Sequence, residues 1–280
     1  MKPSNMESPS TGLPVTRNLK LVHMLSLVIA IFMTIASAAG LLYQPRIYPT
    51  DELLQSFVPN DVVNLAIGVP ILLGSMWLTR RGKLVGLLFW PGALFYVLYN
   101  YIAYLLSMPL NVLFLPYLTL VALSTYTMIG LVASIDGKAI QQRLSGVVPE
   151  KVAGGVLVGL GVAFFLRVIG TIVDALTSQT AIPATELSVL ISDFLLAPAW
   201  GIGGVLLWQR KALGYVSGVG LLFQGSMLFV GLIIFLLLQP LLTAAPFALV
   251  DVIVVLIMGL ICFIPFGLFV RGVLSKGKSS

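Results

Sequence analysis

Arg167, Thr171 and Asp174 stand at i, i+4 and i+7, a spacing that puts a guanidinium, a hydroxyl and a carboxylate on one face of a helix. An arginine in so apolar a stretch needs a carboxylate partner, and Asp174, Asp61, Asp193 and Asp251 are the candidates. Such a pair either locks two helices together or presents the guanidinium to a bound solute. An arginine that snorkels to an interface needs neither.

Asp61 and Asn64 lie one helical turn apart at the start of an apolar run, and Asp193 holds a similar place later in the chain. Two acids so placed could converge on one polar site. The alternative is that each caps a helix N-terminus, accepting backbone N–H groups at the positive end of the dipole. Tyr96, Tyr99, Asn100 and Tyr104 share a face of a further run, with Asn111 and Tyr117 nearby, and make a polar, aromatic wall. Gln224 is the comparable polar residue in the second half of the chain. The expected substrate-binding set is therefore Asp61, Asn64, Tyr96, Asn100, Arg167, Asp174, Asp193 and Gln224.

Other chemistry is excluded by residue type. His23 and Cys262 are the single histidine and single cysteine, so the chain holds no intrachain disulfide, no His/Cys catalytic pair and no metal cage built from those ligands. There is no Gly-x-Ser-x-Gly elbow, Walker A loop or His-Glu-x-x-His motif, and no lysine lies inside an apolar run to form a Schiff base. Two-aspartate hydrolysis through Asp61 and Asp193 is the one catalytic scheme left, and nothing around them marks such a pair. No cofactor is expected.

The elements that carry these residues follow from composition. Of 280 residues, 59% are hydrophobic and 9% charged, and mean hydropathy is +1.05, against about 25% charged in a soluble domain. Apolar runs occupy 21–43, 61–79, 84–107, 110–134, 152–176, 187–208, 212–239 and 247–270. At 1.5 Å per helical residue each crosses the roughly 30 Å of a bilayer core. The expected fold is all-α, a polytopic integral membrane helix bundle of about eight transmembrane helices whose principal partner is the lipid bilayer.

Fourteen of the sixteen lysines and arginines fall in the termini or in alternate breaks between runs, whereas seven of ten acids fall on the other side with Arg46 and Arg167. Positive charge stays on the cytoplasmic side, so both termini are expected there, in a cell membrane. The scatter of basic residues among short loops also argues against nucleic acid as a partner, despite a net charge of +6. Arg17, Lys20, the run from Leu21 and Ala36-Ser37-Ala38 imitate a secretory signal, but apolar residues continue through Leu42 and Tyr43 and complete a full span.

The chain also echoes itself. Pro49-Thr50-Asp51-Glu52-Leu53 and Pro183-Ala184-Thr185-Glu186-Leu187 share Pro-x-x-Glu-Leu. Each is followed by an aspartate (Asp61, Asp193), a proline inside a span (Pro70, Pro198) and a Trp-containing basic end (Trp77 to Arg81, Trp208 to Lys211). Four intervening spans give both copies one orientation, hence two parallel four-helix repeats at 21–143 and 144–272. A disordered cytoplasmic tail over 1–20 and a second tail over 273–280 complete the expected organisation. The reading that joins these features is a secondary transporter or solute-binding protein with an outward-facing polar cavity for a small polar or charged solute. The competing reading is a non-catalytic assembly, scaffold or sensor subunit.

Overall fold

A computed structural model describes residues 12–276, with side chains through Ser275. The expected tails at 1–11 and 277–280 lie outside the described residues. Among the described residues there is no strand, only an isolated bridge between Val15 and Ile135. The helices, in order, are α1 (Lys20–Leu42), α2 (Gln44–Ile47), α3 (Asp51–Val63), α4 (Val69–Arg80), α5 (Leu84–Ser107), α6 (Phe114–Ala133), α7 (Gly137–Leu144), α8 (Glu150–Ser178), α9 (Ala184–Trp208), α10 (Ala212–Leu242) and α11 (Leu249–Lys276). A π-helical turn over Asn64–Gly68 fuses α3 and α4 into one rod, Asp51–Arg80. With that rod, eight helices are long and apolar enough to cross a membrane.

The rod begins ten residues before the apolar run that announced it. Thr50 starts the helix, its hydroxyl accepting the Leu53 N–H at 3.3 Å, and Asp51 and Glu52 sit in the first turn, where the helix dipole favours negative charge. Leu53, Phe57 and Val58 then bury one face, so an amphipathic extension folds where mean hydropathy is low. Pro59 inside α3 lacks an N–H and leaves the carbonyl four residues back, that of Gln55, without its helical donor. The Gln239 side chain of α10 supplies the replacement, Nε2 donating to that carbonyl at 3.2 Å.

Helix α5 is the hub. It packs on α4, α6, α9 and α10, and almost every residue from Val85 to Tyr104 is buried. One part of its circumference is apolar and the rest carries Tyr99, Asn100, Tyr104 and Ser107, which bond to neighbouring helices, so it is satisfied only when surrounded. The crossing of α5 with α10 is made by Gly92 and Gly220, where a Cβ on either would strike the other helix's backbone. By contrast α8 and α11 are peripheral and turn Val162, Leu166, Ile169, Ile257, Leu260 and Ile264 outward, an apolar exterior that water would penalise.

Connections alternate between the two ends of the bundle. One end gathers 81–83, 134–149 and 209–211 and is rich in basic residues; the other gathers 43–50, 108–113, 179–183 and 243–248. Residues 12–16, expected to belong to a structureless tail, are instead held at the basic end. The Thr16 N–H donates to the Ser134 carbonyl, the Asp136 N–H donates to the Pro14 carbonyl, both at 2.9 Å, and Pro14 is buried. Leu13 and Val15 pack against the core beside this backbone pairing, a contact too short in sequence to register as an apolar run.

The two helical hairpins at the basic end share one geometry. In the first, Gly82 N–H donates to Thr79 O, Lys83 N–H to Leu78 O and Gly86 N–H to Lys83 O; in the second, Arg210 N–H donates to Leu207 O, Lys211 N–H to Leu206 O and Gly214 N–H to Lys211 O. Each pair of positions differs by the same 128 residues, as 210 from 82. The left-handed residue of each turn obeys the same offset, Gly82 at φ 70° and Arg210 at φ 58°, as do Pro70 with Pro198 and Gly92 with Gly220.

Candidate functional site

The two aspartates singled out by sequence have both been taken up by protein donors. Asp61, within α3, is buried; its Oδ2 accepts the Tyr48 hydroxyl at 2.5 Å and its Oδ1 the Tyr104 hydroxyl at 2.9 Å. Gly40 of α1 lies against this carboxylate, where a Cβ would collide with Asp61 and Tyr48. Tyr104 in turn accepts N–H groups from Asn60 at 3.2 Å and Asn64 at 3.3 Å. Asn64 keeps one buried oxygen without a partner, at the start of the π turn.

Asp193, within α9, accepts the Tyr99 hydroxyl at 2.8 Å and the Arg167 guanidinium at 2.7 Å, tying α5, α8 and α9 together. The carboxylate side chain is fully buried while the arginine is 49% exposed. The Arg167 partner is therefore Asp193 and not Asp174, whose side chain is exposed near the C-terminal end of α8. Neither acid caps a helix: both sit in helix interiors, because α3 and α9 begin upstream at Asp51 and Ala184. Each carboxylate is held by its own set of donors.

Between α3, α5, α8, α9, α10 and α11 lies a cavity of about 780 Å³. Its mouth is at the end opposite the basic loops, marked by Glu186 in the first turn of α9, Gln239 near the end of α10 and Asp251 in the first turn of α11. Asn60, Tyr99, Asn100 and Arg167 line its middle. Tyr96, at the midpoint of α5, with Phe164, Trp200 and Phe229, lines the deep end. Glu52 accepts from Thr185 at 2.5 Å through its hydroxyl, and Ser107 and Ser188 hydroxyls meet at 2.5 Å, closing the mouth end between α3, α5 and α9.

Of the eight residues expected to bind solute, the structure brings Tyr96, Asn100 and Arg167 to the cavity wall. Asp61, Asn64 and Asp193 stand behind that wall, where the two carboxylates and the Asn64 amide N–H hold the tyrosines Tyr48, Tyr104 and Tyr99. Asp174 does not reach the cavity, and neither does Gln224, whose Oε1 accepts the Trp200 indole N–H at 2.7 Å. The sequence reading omitted Asn60, Gln239 and Trp200, and left Glu186 and Asp251 out of the site. The Pro-x-x-Glu-Leu echo already pointed at Glu186. No group of three His, Cys, Asp or Glu side chains suited to a metal ion comes together among the described residues. Compared with known protein families, curated proteins and solved structures, the chain matches none.

Proposed function

We propose that this chain is a multi-pass membrane protein that binds a solute in the cavity between two parallel four-helix halves, as a secondary transporter or solute-binding protein does. The observation that carries the reading is the cavity itself. At about 780 Å³ it falls within the range of small-molecule sites, is bounded by helices of both halves, and runs from the mouth to the midpoint of α5. The shared hairpin geometry and the matched Pro70 and Pro198 support an internal repeat, and a binding site at the repeat interface is the usual transporter arrangement. Basic residues at one end support a cytoplasmic placement of both termini and an outward-facing mouth. The scaffold reading draws its support from Asp61 and Asp193, which act as struts.

The test is thermal stability of the purified protein against a panel of amines, amino acids, carboxylates and metal ions, for the native chain and for Ala163→Trp, which fills the cavity from α8. A ligand at 100 times its Kd adds about 2.7 kcal/mol. A stabilising ligand whose effect disappears in Ala163→Trp supports solute binding. A flat panel, with the filled variant melting as high as the native chain, sinks it in favour of the scaffold.

A further inference from the structure

Resting on the solute-binding reading, the balance of charge and hydrogen-bonding groups in the same cavity narrows the class of solute. Three charged residues line it, Arg167, Glu186 and Asp251. The arginine is already neutralised by Asp193 at 2.7 Å, whereas the Glu186 and Asp251 side chains make no hydrogen bond or ion pair among the described residues. The mouth is therefore left negative. The neutral N–H groups of the lining are engaged with protein acceptors: Trp200 with Gln224, Gln239 with the Gln55 carbonyl, Asn100 with the Tyr96 carbonyl and Asn60 with Asn100 and Tyr104. An anion would have to pass the Glu186 and Asp251 carboxylates to reach the donors that remain, the free nitrogens of Arg167 and the second amide hydrogens of Asn100 and Gln239.

The deep end points the same way. Tyr96 is 1% exposed, and its ring lines the cavity with the hydroxyl beside Gly231. Phe164 and Trp200 meet edge to face with centroids 4.9 Å apart, and Phe229 and Phe235 extend the aromatic lining. Aromatic faces attract a cation as well as an apolar body. We propose that the cavity takes a lipophilic organic cation, an apolar or aromatic body carrying a quaternary ammonium or phosphonium-like charge, drawn in by Glu186 and Asp251 and seated on Tyr96 and Trp200.

Tetraphenylphosphonium and tetraphenylborate match in shape and differ in sign, so they isolate the charge. Binding of each to the full chain in zwitterionic nanodiscs is measured by equilibrium dialysis, with empty nanodiscs giving the non-saturable background. The expected result is saturable binding of the phosphonium, weakened at least tenfold in the Glu186→Gln/Asp251→Asn double variant and lost in Ala163→Trp, with no saturable borate binding. Both acids are exposed, so the double variant is expected to melt like the native chain. Equal or tighter borate binding, or phosphonium binding unchanged in the double variant, overturns the proposal. If neither probe binds but a neutral or anionic solute stabilises the native chain and not Ala163→Trp, the cation falls and solute binding stands. If no solute of any class acts, both fall.

Discussion

Gly92 of α5 and Gly220 of α10 cross with their backbones in contact: a Cβ on Gly92 would strike the Gly220 carbonyl, and one on Gly220 would strike the Leu88 carbonyl. The contact seats the hub helix against the second half of the bundle. Gly92→Ala is expected to destabilise by about 1–3 kcal/mol through overpacking, although alanine is the better helix former. Gly159→Ala, whose added Cβ meets open space, should gain about 0.5–1 kcal/mol. Thermal unfolding in detergent separates the two, and equal behaviour would remove the crossing as a constraint.

The Arg167 to Asp193 pair predicts an asymmetric pattern. Arg167→Met leaves a buried carboxylate held by Tyr99 alone, and is expected to lower stability by about 1–3 kcal/mol, the solvent-exposed guanidinium moderating the loss. Adding Asp193→Leu should recover much of that loss by removing the stranded charge. A double variant no more stable than Arg167→Met would show that the carboxylate gains little from the pair.

Gln239 is expected to matter because Pro59 is there. Gln239→Met removes the donor to the Gln55 carbonyl and should cost about 1 kcal/mol. In a Pro59→Ala background the restored N–H serves that carbonyl, so the same change should cost close to nothing. A double-mutant cycle by chemical denaturation reads the coupling directly, and simple additivity would refute the replacement.

Orientation is checked with single cysteines in a Cys262→Ala background. Thr180→Cys, in the exposed connection between α8 and α9, should react with a membrane-impermeant maleimide in intact cells. Ser145→Cys, exposed at the basic end, should react only after permeabilisation. The reverse pattern would invert the topology, and equal labelling of both would refute membrane insertion.

Hydrophobic run length and the distribution of basic residues were sufficient to read the helical class and the number of long apolar helices, because a residue's cost in a bilayer depends on its own polarity and little on its neighbours. Boundaries were legible where the run ends in charge, as at 84 and 212, and not at Asp51, where an amphipathic extension is helical through a Thr50 cap and one buried face. Tyr96, Asn100 and Arg167 were legible as cavity residues because a polar group inside an apolar helix must face something other than lipid. Which partner each polar group finds is another matter, for it depends on how helices far apart in sequence are rotated and offset. Tertiary structure alone decided that Arg167 meets Asp193 and not Asp174, and that Asp61 is spent on Tyr48 and Tyr104. It alone left the Glu186 and Asp251 side chains without a partner among the described residues at the mouth of the cavity. A hydrogen bond is satisfied within about 3 Å, a tolerance that one-dimensional spacing cannot resolve once the donor and acceptor lie on different helices.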